Sequence, residues 1–213
     1  MTTLVLASAS PARRATLAAA GIDPVVRVSD VDEGAVVARY GVRAAQDIAL
    51  VLARAKAEDV AAGIGDVLDA ATLVVGCDSV LDLDGEVFGK PGTAERATER
   101  WRLMRGRTGV LHTGHWVIDT RDGEDGGSGA TLGAVASTRV HFADLGDDEI
   151  EAYVATGEPL AVAGGFTVDG LGGAYVRGVE GDHHAVVGIS LPLLRDLLTE
   201  VGVRWHTLWR RLR

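Results

Sequence analysis

The four apolar residues Leu4-Val5-Leu6-Ala7 run straight into Ser8-Ala9-Ser10-Pro11. No other part of the sequence constrains the fold as strongly. A short apolar run closed by polar residues suits a strand buried on both faces, as in α/β sheets. Ser10 is a good helix N-cap and Pro11 suits the first helical position, while Arg14, Leu17 and Ala18 continue at helical spacing to a stop at Gly21. The chain therefore opens as strand, tight turn, helix.

The pattern continues in both periods. Residues 25–28 read as a second strand leading into the acidic loop Ser29-Asp30-Val31-Asp32-Glu33, and residues 44–62 as an Ala-rich helix closed by Gly63. A β-branched strand over 72–76 ends at Cys77-Asp78-Ser79, followed by a hairpin around Asp82-Leu83-Asp84-Gly85 and the turn Gly89-Lys90-Pro91-Gly92. Residues 94–104 read as a helix, and 110–120 and 131–143 as alternating strands joined by a polar Gly-rich loop at 121–129, expected to be mobile. Residues 147–156 and 190–201 read as helices, with a Gly-rich strand and turn region at 163–179 between them. Strands alternating with helices early and a long hairpin late predict an α/β fold with a mixed central β-sheet flanked by helices.

At 213 residues and 47% hydrophobic content the chain can bury a sizeable core, and one domain over residues 1–202 is expected. The tail, residues 203–213, is amphipathic and basic, and its tryptophans are expected to pack on the domain as a helix-end extension. With 21 basic and 30 acidic residues the net charge is -9, which disfavours a surface that neutralises a nucleic-acid backbone. No run reaches membrane length, the N-terminus lacks a basic leader, and Cys77 is the sole cysteine. These features exclude a disulfide framework and point to the cytoplasm.

Two hydroxyls at a strand end beside a helix N-terminus suit a phosphate, and Arg13 and Arg14 add permanent charge. Ser10 could equally do no more than cap the helix. Asp78, directly after an apolar strand, should lie at the mouth of the sheet, where open α/β folds place ligands. Glu33 and Asp78 together offer hard oxygen donors for Mg²⁺ or Mn²⁺, and Lys56 and Lys90 could help to neutralise a polyphosphate. His183-His184, and His112 with His115, lack partners at metal-site spacing and read as surface or satisfied histidines. Neither a P-loop nor a complete dinucleotide fingerprint is present.

In order and approximate spacing, the segments Leu6-Ala7-Ser8-Ala9-Ser10-Pro11-Ala12-Arg13-Arg14, Val31-Asp32-Glu33, Ala55-Lys56-Ala57, Gly76-Cys77-Asp78-Ser79-Val80 and Gly89-Lys90-Pro91 resemble the Maf family. His112-Thr113-Gly114, the stretch Tyr153-Val154-Ala155-Thr156-Gly157-Glu158-Pro159, Ala163-Gly164-Gly165 and Val186-Val187-Gly188 extend the resemblance over nearly the whole chain. It implies an elongated, often dimeric α/β domain of two lobes around a deep cleft. The implied activity is hydrolysis of nucleoside triphosphates to monophosphate and pyrophosphate with a divalent cation. By position, Asp78 matches the family's proton acceptor and Glu33 a metal or water-positioning carboxylate. Ser8, Arg14, Lys56 and Lys90 match phosphate-contacting groups.

The family branch acting on dTTP and UTP has arginine after the motif proline, threonine after the catalytic aspartate and glutamine before a later glycine. Here those positions are Ala12, Ser79 and Asp169, and Asp169 also departs from the glutamate of the 7-methyl-GTP branch. The base preference is therefore unassigned. The leading expectation has Glu33 and Asp78 holding the metal, water attacking the alpha phosphorus, and Arg13, Arg14, Lys56 and Lys90 stabilising pyrophosphate. Two alternatives are a nucleotide-binding regulator of cell division or septum formation without turnover, and a nucleotidyltransferase.

Overall fold

The computed structural model describes residues 2–64 and 72–210. Met1, residues 65–71 and the last three residues of the basic tail lie outside that description. A seven-stranded mixed sheet forms the centre, in the order β2-β1-β3-β5-β6-β7 with β4 paired to β3. The strands are β1 (Thr3–Ala7), β2 (Val25–Arg27), β3 (Thr72–Leu83), β4 (Glu86–Phe88), β5 (Thr108–Asp119), β6 (Thr131–Phe142) and β7 (Val176–Glu180). The β1 pairings to β2 and β3 are parallel and the rest antiparallel.

The opening is as expected. Helix α1 (Pro11–Ala19) starts on Ser10, whose hydroxyl accepts from the Arg13 amide, and Gly21 ends it at a φ of 83°. Three expectations need correction. The acidic loop gives way at Glu33 to helix α2 (Glu33–Tyr40), because Asp32 caps it through Ala35 N. Gly63 does not close α3 (Ala45–Ile64); the helix runs past it. Strand β3 does not end at Gly76 but continues to Leu83, because its second half has ladders on both sides, β5 and the β4 hairpin.

Alternation along the strands sorts the core by face. On one face Leu4 and Leu6 of β1 and Leu73, Val75 and Cys77 of β3 meet Leu17 of α1 and Leu194, Leu197 and Leu198 of α7 (Leu191–Glu200). Farther along, Leu81, Leu111 and Phe142 meet Trp101 of α4 (Ala94–Met104) and Tyr153 of α5 (Asp147–Ala155). On the opposite face Val5, Ala7 and Val74 pack on Ala57 and Val60 of α3. Helix α3 lies almost against the sheet backbone there. A Cβ on Gly76 would come 2.1 Å from the Ala53 carbonyl oxygen, and one on Gly114 would come 2.3 Å from that of Ala49.

The base of the 121–129 loop is tied down. Arg121 makes a two-pronged contact with buried Asp119, at 2.7 and 2.9 Å, and donates to the Val201 carbonyl. Ser128 donates to the same carboxylate through its amide and hydroxyl. Burial alone would raise the Asp119 pKa, but these donors hold it well below the usual carboxylate range. The tail does not extend α7. Gly202 turns the chain at a φ of 76° and residues Trp205–Leu208 form a separate 3-10 turn, with Leu208 buried and Trp209 against Gly21. No helix among the described residues is long and apolar enough to cross a membrane.

Two substitutions test this packing in opposite directions. Gly114→Ala forces a methyl into backbone and should lower stability by about 1–3 kcal/mol, a fall of several degrees in Tm. Gly63→Ala, with open space at that position, should raise stability by about 0.5 kcal/mol. Arg121→Met strands the Asp119 carboxylate and should cost about 3–5 kcal/mol, on the order of 10 °C in a thermal melt at pH 7.

Candidate active site

The ladder between β1 and β3 stops at the pair Ala7 and Gly76, while β3 continues. Beyond that point a cleft of ≈ 520 Å³ opens, lined by Ser8 to Arg13, the start of α2, Lys56, Asp78 and Ser79, Lys90, and segments near 161–169 and 186–188. Because neighbouring strand residues face opposite ways, Asp78 points to α3 and Ser79 to α1.

On the α3 side, Lys56 lies between two carboxylates. Its ammonium is 2.6 Å from Glu33 Oε1 and in direct contact with Asp78 Oδ1. Lys56 and Asp78 are both buried, whereas the Glu33 side chain is half-exposed. Burial raises the Asp78 pKa above the ordinary carboxylate value even though the Lys56 and Arg13 charges oppose it. For Glu33 burial also pulls upward, but the bond to Lys56 and the charges of Lys56, Lys90 and Arg13 leave its pKa lowered. Two carboxylates with divergent environments beside one cation are the arrangement expected of an acid–base site.

On the α1 side, Arg13 is a tie between segments. Its Nε donates to Gly188 O at 2.7 Å, and one terminal nitrogen donates to Ser8 Oγ and Cys77 O. The other donates to Ser79 Oγ at 3.2 Å. Four of the five guanidinium N–H groups thus serve protein acceptors. The Thr113 hydroxyl donates to Ala185 O, so Ser79 donates to Thr113 and accepts from Arg13. Ser8 Oγ also accepts from the Ser10 amide.

Of the residues expected from sequence, Ser8, Ser10, Ala12, Arg13, Glu33, Lys56, Asp78, Ser79, Lys90 and Asp169 all line the cleft. Arg14 does not. It lies on the exposed side of α1, one residue round from Arg13, away from the cleft lining. Ser10 doubles as the helix cap, so the structural and the functional account of that serine both hold. The far wall carries Phe166, Thr167 and Asp169, and sequence reasoning singled out only the last of these. The chain order gave no signal for the Gly188 and Cys77 carbonyls, because any residue type supplies one.

The histidines behave mostly as expected. His115 is buried, accepts from Ser190 N through Nε2 and donates to Thr113 O; burial pushes its pKa down to about 4. His112 bonds Ser137. Asp182, His183 and His184, away from the cleft lining, do bring three possible ligand atoms within 4.8 Å of one another.

Glu33 and Asp78 are hard oxygen donors of the kind that suits Mg²⁺ or Mn²⁺, cations that take one or two protein carboxylates and complete their shell with water and substrate phosphates. The lining carries three cations, Arg13, Lys56 and Lys90, and three carboxylates, Glu33, Asp78 and Asp169.

Comparison with known proteins agrees with this geometry. The family model described as Maf-like protein matches residues 3–201. A protein from Salinispora tropica named nucleoside triphosphate pyrophosphatase is 55% identical over 208 residues, covering 98% of this chain and 88% of its own. Proteins of the same name from Nocardia farcinica and Streptomyces coelicolor are 56% and 54% identical, each covering at least 97% of this chain and 94% of their own. The match over residues 3–201 and these relatives show that the chain belongs to the Maf family.

Proposed function

We propose that this chain hydrolyses nucleoside triphosphates to nucleoside monophosphate and pyrophosphate, using Mg²⁺ or Mn²⁺ held by Glu33 and Asp78. The observation that carries the reading is the buried Asp78 beside Lys56 and Glu33, facing the Ser8 to Arg13 turn across a cleft large enough for a nucleotide. The close relatives named nucleoside triphosphate pyrophosphatase support it.

Charge balance supports the cation. With three positive and three negative side chains lining it, the cleft offers a polyanion no net compensation. Glu33 and Asp78 would hold a divalent cation there, and the chemistry it would supply is neutralisation of phosphate oxygens and activation of water. Asp78, at the cleft with Oδ1 on Lys56, would accept a proton from water attacking the alpha phosphorus. Lys56 keeps Asp78 and Glu33 from repelling each other and holds the Asp78 carboxylate in a fixed position. Lys90, in the turn 89–92, and the remaining Arg13 N–H are the positive groups available to the departing pyrophosphate.

Three measurements test this. Pyrophosphate release from a panel of canonical and modified triphosphates should depend on Mg²⁺ or Mn²⁺, stop with chelator and return on adding either metal. Asp78→Asn should lower kcat by about 10²–10⁴-fold; a wild-type rate would sink the assignment. Arg14→Ala should stay within about twofold of wild type in kcat/KM, since that side chain lies outside the cleft lining, and a large loss would contradict its placement.

A further inference from the structure

We propose that Glu158, which does not itself line the cleft, is a positioning residue that governs discrimination among nucleotides by fixing the segment 166–172. This rests on the nucleotide hydrolase reading above, with the nucleotide's base end against the wall that carries Phe166, Thr167 and Asp169.

That segment is folded around one carboxylate. Glu158 Oε1 accepts from Thr167 Oγ1 at 2.6 Å, Tyr153 OH at 2.9 Å and Gly172 N at 2.9 Å, and Oε2 accepts from Leu171 N at 3.0 Å. The Tyr153 hydroxyl in turn accepts from Thr167 N at 3.3 Å. The wrap is close enough to require glycine. A Cβ on Gly170 would stand 2.5 Å from Glu158 Oε2, and one on Gly172 would stand 2.4 Å from the Tyr153 hydroxyl. Burial works against the charge on Glu158, yet the four donors bring its pKa to about 2, so it stays ionised at neutral pH.

The other end of the assembly is rigid. Tyr153 is buried and meets Trp101 and Tyr175 edge-on at 5.5 and 5.4 Å, and Trp101 Nε1 donates to Gly165 O, the residue before the wall. Position therefore passes from the aromatic core through Tyr153 and Glu158 to the segment that presents Phe166, Thr167 and Asp169. None of the hydrogen bonds of Glu158 reaches Asp78, Lys56 or Glu33. Loosening it should disturb which nucleotide fits, and leave the chemistry of a well-bound one nearly intact.

Glu158→Gln keeps size and shape but sets an NH₂ against an amide donor, at Leu171 N or, if flipped, against the three donors at the other oxygen. In the full chain, steady-state kinetics over the triphosphate panel should show KM for the preferred nucleotide rising about fivefold or more with kcat within about twofold. The kcat/KM ratio between the first and second nucleotides should fall about fivefold or more. Gly170→Ala, which pushes on the carboxylate without altering it, should move the same ratio in the same direction and carries the test if Glu158→Gln does not fold. An unchanged ratio in a folded variant, or a kcat loss uniform across the panel with KM unchanged, overturns the proposal. A wild-type chain that turns over no triphosphate overturns the hydrolase reading itself, and the proposal with it.

Discussion

The site depends on how closely α3 can approach the sheet. Gly76 on β3 and Gly114 on β5 lie under consecutive turns of the helix, and any side chain at either would strike the carbonyl of Ala53 or Ala49. With both positions bare, the helix sits on the backbone itself and Lys56, one turn on from Ala53 and Leu52, comes down onto Asp78. The same contact buries most of the pair where it meets the cleft. An ion pair made in such a place is strongly favoured over either charge alone, although the pair as a whole gains little over apolar packing. Its burial therefore makes better sense as positioning than as stabilisation, because a fixed cation offsets the repulsion between two carboxylates and holds them side by side.

The end of β1 divides the labour between the two faces of β3. Up to Ala7 the parallel ladder covers that edge, and one residue past the last pair the Cys77 carbonyl receives Arg13. Consecutive residues then turn to opposite walls. Asp78 goes to the helix that carries Lys56, and Ser79 to a chain of donors running from Arg13 through Ser79 and Thr113 to Ala185. Ser79 is thus committed on both sides of its hydroxyl, which ties β3, β5 and the 183–187 helix together. Arg13 likewise joins the first turn, the central strand and Gly188, segments separated by as many as 175 residues.

Much of this was legible in the sequence where the signal is local. The strand-to-helix entry, the Ser10 cap, the Asp84-Gly85 hairpin and the position of Asp78 near the sheet mouth all follow from neighbouring residue types. The errors came where tertiary pairing decides. A polar Asp-Ser after an apolar run looks like a strand end, yet antiparallel β5 pairs with β3 for six residues beyond Gly76, to Asp82. Glu33 looks like a loop acid because α2 has no buried residue to give it a clear apolar stripe, although the Asp32 cap was there to be read. Arg13 and Arg14 are indistinguishable by type, and only the 100° step of a helix sends one into the cleft and the other to solvent. Glu158 stood out only as part of the stretch 153–159 that resembles the family, with no sign of its role, since its partners are two backbone amides, a tyrosine five residues before it and a threonine nine residues after.

The hydrogen bonds behind the cleft also connect its two ends. Gly89, which precedes Lys90, accepts through its carbonyl from Gly164 N at 3.1 Å, and Gly92 N donates to Leu160 O at 2.9 Å. The turn bearing Lys90 and the chain leading to Phe166 are therefore laced together, with Trp101 holding Gly165 from below. A positive group suited to phosphate and a wall suited to a base share one frame, while Asp78 and Lys56 belong to β3 and α3. In the function proposed above, such an arrangement would let the protein's own backbone set the span between the ends of a bound nucleotide, apart from the groups that act on the bond. Ala12, on the α1 turn, and Asp169, on the wall, both line the same cleft, and neither is among the residues in contact with Asp78 through Lys56.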